Sequence, residues 1–277
     1  MRELSNLQIA DALEQAIGTI ACRIDAGALD QLRKARAQET LPAAQFALDV
    51  MLNNAELAER EARPVCQDTG MVIVFLSIGQ DVRLTGPWIE DAVNQAVARA
   101  YVPLRKSVLD PVTRINTRDN TPAVIHTRIV EGDGVTAEIM LKGFGSENMS
   151  AVHLFNPAEG LEAACDFIVD TVRKAASNPC PPVIVGVGLG GTLEKACLLS
   201  KHALMRPVGT ANPDPELQPL EDTLMRRIQA LHIGPQGFGG VTSALALHIE
   251  RFPTHISSLP VAVNLLCHCA RSTTLRF

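Results

Sequence analysis

Residues 65–70 (VCQDTG) mark the first change of secondary structure along the chain. Before them, residues 6–62 carry apolar side chains at helical spacing, with a helix start at residues 40–42 (TLP). After them, residues 71–78 (MVIVFLSI) are mostly β-branched, aromatic or aliphatic and too few for a long helix, so they predict a strand. The segment therefore lies at a helix-to-strand junction and ends in a glycine that lets the backbone turn. It carries a thiol, an amide, a carboxylate and a hydroxyl group at consecutive positions. A turn that only connects two elements does not need a cysteine, so the segment is a candidate functional site.

The rest of the chain predicts an α+β fold, in which helices cover a mixed, partly antiparallel sheet and the N-terminal helices form a layer. Two β-rich runs flank residues 131–134 (EGDG), and Asp-Gly between strands predicts a β-hairpin made of residues 122–131 and 135–141. No linker, repeat or low-complexity tract divides the chain, so residues 1–277 are expected to form a single domain. Further helices are predicted at residues 87–100, 159–175 and 193–199, and a turn and cap at residues 212–215 open another helix that runs through residue 230. Further strands are predicted at residues 183–187 and 259–266.

Composition excludes several classes of function. Hydrophobic residues make up 47% and charged residues 20%, which is typical of a soluble globular protein. The net charge of −5, the lack of a basic run and only 4% aromatic residues leave little to bind or stack on nucleic acid. The N-terminus mixes charged and apolar residues, unlike a signal peptide, and no apolar stretch approaches the roughly 20 residues of a membrane span. We therefore expect a cytoplasmic protein that binds neither nucleic acid nor membrane.

The seven cysteines divide into two groups by their sequence surroundings. An odd number in a chain of cytosolic type argues against disulfides and leaves burial or metal binding. The cysteines in amphipathic, Ala- and Leu-rich helical patterns are expected to be buried as small hydrophobic residues, and they are Cys22, Cys165 and Cys197. The others lie at irregular positions beside Gly, Pro, Asp, His or Arg, and they are Cys66, Cys180 and the pair Cys267 and Cys269.

This second group is widely spaced, which favours a site assembled by the whole fold over the short paired spacings of a structural zinc site. Thiolates suit both zinc and iron–sulfur clusters, so the ligand type does not choose between them. Three cysteines on a [4Fe–4S] cluster would leave one iron without a protein ligand, able to act as a Lewis acid on a hydroxyl or carboxylate group. The nearby glycine-rich loops, arginines and amides favour a small polyanionic substrate.

Two glycine-rich segments are candidates for binding an anion. Residues 142–150 (KGFGSENMS) suit either a loop that offers backbone N–H groups or an ordinary turn. Residues 186–192 (GVGLGGT) fit G-x-G-x-x-G between a strand and a helix, but they lack the lysine of a P-loop and a clear acidic partner for a ribose. A phosphate- or nucleotide-binding module using residues 186–192 is therefore the alternative function, and a zinc-stabilised interaction protein is a third.

Several long motifs, in this order, resemble the alpha subunit, or N-terminal region, of the class I iron–sulfur hydro-lyases, which are fumarate hydratases and L(+)-tartrate dehydratases. The resemblance covers about residues 5–275. Its most specific parts are VCQDTG (65–70), LRKSVLDPVTR with NTPAVIH (104–126), KGFGSENMS (142–150), NPCPPVIVGVGLGGT (178–192), GPQGFGGVTSAL (234–245) and THISSLPVAVNLLCHCAR (254–271).

The resemblance implies a [4Fe–4S] cluster held by Cys66, Cys180 and Cys267. Cys267 is preferred over Cys269 because the family pattern places an arginine after three intervening residues, as Arg271 does here. The residues implied to bind the dicarboxylate substrate are Gln67, Asp68, Arg105, Gly143, Phe144 and Gly145. Phe144 departs from the small residue more usual at its position.

Two residues are implied to be catalytic. Asp68 is a candidate for proton shuttling, and its plainer role is to orient Gln67 or a neighbouring arginine. His255 matches a histidine that reaches a substrate carboxylate in related enzymes, and its plainer role is a polar cap before the last strand.

The resemblance also implies a partner. Single-chain members continue into a second domain that carries the proposed catalytic hydroxyl base, further arginines and a lysine. We therefore expect a separate beta subunit and a dimer of alpha–beta pairs. The expected reaction dehydrates a small 2-hydroxy dicarboxylate, converting malate to fumarate or L-tartrate to oxaloacetate.

Overall fold

The computed structural model describes residues 1–277 and confirms an α+β architecture with mixed sheets. The elements in chain order are β1 (Arg2–Ser5), α1 (Asn6–Cys22), α2 (Ala26–Gln38), α3 (Pro42–Glu61), β2 (Met71–Gly79), β3 (Val82–Thr85), α4 (Ile89–Ala100), β4 (Val124–Val130), β5 (Val135–Lys142), α5 (Phe144–Glu147), β6 (Ala151–Phe155), α6 (Gly160–Ala175), β7 (Val183–Gly190), α7 (Leu193–Ala203), α8 (Gln218–Gln229), β8 (Ala244–Phe252), β9 (Leu259–Leu266) and β10 (Ser272–Arg276). No helix of the chain combines the length and the apolar character needed to cross a bilayer.

The first of two compact units comprises residues 1–24, 55–144 and 271–277. Its four-stranded sheet has the order β10-β5-β2-β4, and β1 pairs with β3 in a small parallel sheet. Helix α1 packs against α4 and against β5 and β10. Because β2 is apolar on both faces and almost wholly buried, it takes an interior position in the sheet.

The predicted hairpin of residues 122–131 and 135–141 is wrong. Strands β4 and β5 do not pair with each other, because β2 lies between them, parallel to β4 and antiparallel to β5. Residues 131–134 instead cross over the end of β2. There the Gly79 N–H donates to Gly134 O at 2.8 Å and the Asp81 N–H donates to Gly132 O at 3.0 Å. The Asp-Gly signal therefore identified a tight turn but not the partner of each strand.

The second unit comprises residues 25–54 and 145–270. Its sheet has the order β6-β9-β7-β8, with β7 and β8 parallel and the other pairs antiparallel. Helix α7 packs on β7, α8 on β8, and α6 contacts α8, around a core of its own. Each unit has its own hydrophobic core. That residues 1–277 form a single domain stays a prediction.

Gly186 and Gly188 lie inside the buried strand β7, which weakens the alternative interpretation of residues 186–192 as a phosphate-binding loop. A Cβ atom at Gly186 would lie 2.1 Å from Ser200 O, and one at Gly188 would lie 2.1 Å from Ala196 O. Both carbonyl groups belong to α7, which rests directly on the strand backbone. These two glycines therefore serve close helix–strand packing and leave only residues 190–192 to turn into the helix.

Replacing Gly186 with Ala should destabilise the protein by on the order of 3 kcal/mol, because the new methyl group meets a rigid helix backbone. Gly18→Ala is the matched control, since an exposed residue inside α1 with no atom within 4 Å of its Cβ position should gain up to about 1 kcal/mol. Chemical denaturation of both variants measures the two effects. Equal stability of the two variants would contradict this account of the packing.

Candidate active site

The Asp68 carboxylate joins two of the motifs that the sequence singles out. Its Oδ1 accepts the Gly70 N–H at 3.0 Å, and its Oδ2 accepts the Phe144 N–H at 2.8 Å. The neighbouring Gln67 is exposed, and Cys66 is half-buried. One backbone N–H of the 142–150 segment, expected to bind an anion, is therefore occupied by a carboxylate of the chain itself. Asp68 is thereby held in one orientation beside an exposed amide.

Tyr101 supports this turn from the protein interior. Its side chain is fully buried, and its hydroxyl lies 2.8 Å from Thr69 O and 2.9 Å from Gly70 O, to which it donates. Burial raises the pKa of the Tyr101 hydroxyl, and the nearby Asp68 carboxylate adds to the rise. The hydroxyl therefore stays protonated and keeps donating to the backbone of the turn.

Asn120 links the turn to the loop that carries Arg105. Its Nδ2 donates to Gly70 O at 3.1 Å, and its Oδ1 accepts the Ser107 N–H at 2.8 Å. In addition, the Thr69 hydroxyl donates to Arg105 O at 2.6 Å. The backbone of Arg105 is thus fixed beside the Asp68 turn, while its side chain is exposed.

Arg271 is the largest fully buried side chain of the chain, 1% exposed. A Cβ atom added to Gly143 would lie 3.0 Å from Asp68 Oδ2 and 3.6 Å from Arg271 Nη2. Gly143 therefore leaves room for a carboxylate and a guanidinium on the same side of its backbone. The Nε and Nη1 atoms of Arg271 are buried without a hydrogen-bond partner.

Sequence reasoning missed Tyr101 and Asn120 as parts of the site, and it used Arg271 only as a marker in the family pattern. Nothing in the sequence around Tyr101 distinguishes it from a core aromatic residue at the end of a helix. Asn120 lies in a polar loop, where its burial could not be read from the residues. Arg271 had one usable signal, its spacing from Cys267.

In the second unit, Cys180 and Cys267 lie at the same end of the sheet. Strands β7 and β9 are antiparallel with Ile184 opposite Leu266, so the residues before β7 and after β9 are neighbours. His268 Nδ1 lies 2.9 Å from Cys180 O, which ties the two segments together. Cys180 is exposed and Cys267 is half-buried.

The second glycine-rich motif, residues 234–240, supports the loop of Cys180. The Gln236 N–H donates to Pro181 O at 2.8 Å. Cys180 itself has a φ of +54°, a left-handed conformation that an L-residue adopts at a cost of roughly 1 kcal/mol or more. The loop therefore holds this thiol in an unfavourable backbone conformation.

Of the three helical cysteines expected to be buried, Cys165 is buried, whereas Cys22 and Cys197 are half-buried, so the prediction is confirmed only for Cys165. None of the seven forms a disulfide, and Cys269, one of the candidate ligands, is buried. Burial raises the pKa of the thiols on α1, α6 and α7, which are Cys22, Cys165 and Cys197. Among residues 1–277, no group of three or more His, Cys, Asp or Glu side chains is arranged to hold a metal ion. The predicted ligand set of Cys66, Cys180 and Cys267 stays a prediction.

Residues 145–150 and His255 belong to the second unit. Glu147, at the end of α5, pairs with Lys201 and accepts the Asn264 Nδ2–H at 3.3 Å. Gly145 is exposed beside it. His255 is exposed, and its Nδ1 lies 2.7 Å from the Ser257 hydroxyl in the same loop. The catalytic role of His255 stays a prediction.

Comparison with known proteins is consistent with this arrangement of motifs. A family model described as fumarate hydratase (Fumerase) matches residues 10–276. The chain is 34% identical over 278 residues to the putative L(+)-tartrate dehydratase subunit alpha of Methanocaldococcus jannaschii, covering 98% of each chain. It is 32% identical over 285 residues to the L(+)-tartrate dehydratase subunit alpha of Escherichia coli (strain K12), covering 99% of this chain and 94% of that one.

An α+β chain whose motifs converge on a fixed carboxylate beside exposed polar groups fits the hydro-lyase class. The chain belongs to the fumarate hydratase (Fumerase) family, as the motifs predicted.

Replacing Tyr101 with Phe should destabilise the protein by about 1–3 kcal/mol, because the buried carbonyl groups of residues 69 and 70 lose a donor. Since folding raises the pKa of Tyr101, its contribution is complete below the ordinary tyrosine value of about 10 and is lost as the pH rises further. Thermal melting of the wild type should therefore drop steeply above that pH, and the Tyr101→Phe variant should lack this drop.

Tyr101 is the chain's only tyrosine, so tyrosinate absorbance reports on it alone. Titration of the native protein at the ordinary tyrosine pKa would rule out the buried, donating hydroxyl.

Proposed function

We propose that this chain is the alpha subunit of a [4Fe–4S]-dependent hydro-lyase that reversibly dehydrates a small 2-hydroxy dicarboxylate. The proposed substrates are malate, giving fumarate, and L-tartrate, giving oxaloacetate. Membership of the fumarate hydratase family supports the reaction class. The observation that carries the proposal within the fold is the Asp68 carboxylate, which two backbone N–H groups hold beside the exposed Gln67.

The cysteines that would hold the cluster are Cys66, Cys180 and Cys267. These thiols form no disulfide, and none is fully buried, which suits soft ligands for an iron–sulfur cluster. Two of them lie at one end of a sheet, and the tight loop around Cys180 suits a ligand that must stay in place. When bound, such a cluster supplies an iron without a protein ligand, which acts as a Lewis acid on the departing hydroxyl group.

The chain's own side chains bind and orient the substrate. The Arg105 guanidinium is exposed, and its backbone is anchored beside the Asp68 turn, so it is suited to pair with a substrate carboxylate through two N–H groups. Gln67 offers an amide donor and acceptor on the same turn. Phe144 and Gly145 are exposed where the loop begins, and Gly143 precedes them. Fixing the dicarboxylate in this way lowers the entropic part of the barrier.

Asp68 and His255 are the proposed proton-handling groups of this chain. Asp68 accepts one N–H at each oxygen, which leaves lone pairs on both oxygens for a proton. His255 is exposed with its Nδ1 beside a hydroxyl, which leaves Nε2 to meet a carboxylate or a proton.

The base that removes the carbon-bound proton is proposed to lie on a beta subunit. The relatives are named as alpha subunits, which supports a beta partner. A dimer of alpha–beta pairs and a cytoplasmic location complete the proposal. The alternative of a phosphate- or nucleotide-binding module is weakened, because Gly186 and Gly188 are needed to pack α7 on β7.

Replacing Cys180 with Ser should abolish cluster retention, since two thiolates rarely hold a [4Fe–4S] cluster. Anaerobically purified wild-type protein should be brown, carry iron and sulfide, and bleach in oxygen. Cys165→Ser is the matched control, because this thiol lies buried in α6 and should leave the iron content unchanged. Wild-type levels of iron and sulfide in the Cys180→Ser protein would contradict the ligand assignment.

The substrate is tested by assaying the cluster-loaded chain with its beta partner against malate and L-tartrate in parallel. We expect dehydration of at least one of them, and little activity from either chain alone because each carries part of the site. A fully loaded complex that dehydrates neither compound would refute the proposed reaction.

A further inference from the structure

Arg271 is a buried, positively charged residue, and its burial needs an explanation. A guanidinium that is 1% exposed has lost its hydration, and two of its nitrogens, Nε and Nη1, have no hydrogen-bond partner. Burying a charge without compensation is strongly unfavourable, so a fold that keeps one is expected to place an opposite charge close by. Arg206 shows the ordinary solution, because its Nη2 pairs with the buried Glu221 carboxylate at 2.6 Å.

The structure places the Asp68 carboxylate across the Gly143 gap from Arg271, without a direct ion pair between the two side chains. Asp68 Oδ2 and Arg271 Nη2 lie 3.0 Å and 3.6 Å from the point that a Cβ atom of Gly143 would occupy. The missing side chain of Gly143 therefore leaves one gap that both groups border. Both charges also act on the buried Tyr101 hydroxyl, which lies under the same turn.

The same backbone holds all of these groups. Asp68 Oδ2 accepts the Phe144 N–H at 2.8 Å, next to Gly143, and Arg271 O accepts the Leu141 N–H at 2.9 Å. Strand β10, which begins one residue after Arg271, pairs along β5 with Ser272 opposite Met140. Arg271 is thus fixed to the strand that leads into the glycine loop, and the guanidinium has a defined place relative to the carboxylate.

We propose that Arg271 is a positioning residue for Asp68: its buried guanidinium holds the carboxylate against the Gly143–Phe144 backbone and keeps it oriented for its role with substrate. Arg271 itself does not touch the substrate, because its side chain is fully buried. The inference deepens the proposed function of Asp68 and rests on it. A lysine at this position keeps the charge but not the planar reach of the guanidinium, so it should restore the function only in part.

The first test measures hydrogen exchange of the Phe144 amide in the full chain, which needs no catalytic activity. In Arg271→Gln, this amide should exchange at least tenfold faster because Asp68 no longer stays in place to accept it, and Arg271→Lys should be intermediate. Asp68→Ala is the positive control. The Val241 amide, which donates to the Glu39 carboxylate at 2.9 Å, should exchange as in the wild type. Unchanged protection of Phe144 in both Arg271 variants would overturn the proposal.

The second test is a double-mutant cycle on the cluster-loaded alpha–beta enzyme. Arg271→Gln should lower kcat about a hundredfold with KM changed less than threefold. Once Asp68 has been replaced in D68N, R271Q should cost little more, since the arginine acts through that carboxylate. Equal losses from R271Q in the wild-type and D68N backgrounds, or a loss of iron that matches the loss of activity, would overturn the positioning role.

The two tests separate the failure of this inference from that of the proposed function. Thermal melting identifies any Arg271→Gln protein that does not fold, and Arg271→Lys then carries both measurements. If the loaded wild-type enzyme dehydrates no 2-hydroxy dicarboxylate, the proposed function fails, and the exchange of the Phe144 amide still decides whether Arg271 positions Asp68.

Discussion

The buried carbonyl groups of residues 69 and 70 are the constraint on which the candidate site depends. The turn at residues 65–70 runs into a strand that is covered on both faces, so its last carbonyl groups cannot reach water. A buried carbonyl group that is left unpaired costs about 1–3 kcal/mol, so both carbonyl groups of this turn need donors. Tyr101 donates to both, and Asn120 donates to the second. With its end fixed in this way, the turn presents Gln67 and Asp68 in one arrangement.

The loop that follows α4 is positioned by the same groups. Asn120 contacts the turn through its amide nitrogen and holds the loop backbone through its amide oxygen. Thr69 then bonds the carbonyl group of Arg105 directly. An arginine on a flexible loop would lose both backbone and side-chain entropy on binding a carboxylate. Because the backbone of Arg105 is already anchored, only the side-chain loss remains. The side chains proposed to bind the substrate can therefore remain exposed while their backbone is rigid.

Much of this fold could be predicted from periodicity, and the failures have physical causes. Strand β9 was predicted over its full length, because a short, continuous apolar run between loops is typical of a buried strand. The hairpin of residues 122–141 failed because a local turn signal carries no information about which strand lies between its arms. The role of Gly186 and Gly188 stayed open in the sequence, because a glycine needed for close helix packing looks there like a glycine needed for a loop.

The same limit applies to the candidate site. Residues 65–70 could be singled out because their chemistry is unusual for a turn, and so could Cys180, between prolines. Tyr101, Asn120 and the buried charge of Arg271 could not, because their roles follow from burial beside a particular backbone carbonyl or carboxylate. Such supporting residues have ordinary identities, and only tertiary structure distinguishes them from other core or loop residues.

The division of the cysteines follows from the energetics of the thiolate, which is the form that binds a metal. Burial disfavours the charged form, and it raises the pKa of the helical thiols Cys165 and Cys197. Cys180, which precedes β7, is exposed. Cys269 is buried, whereas Cys267, two residues before it, is half-buried and lies at the same end of the sheet as Cys180. Of these two neighbouring thiols, Cys267 is therefore the more accessible one, and it is also the one that the family pattern prefers.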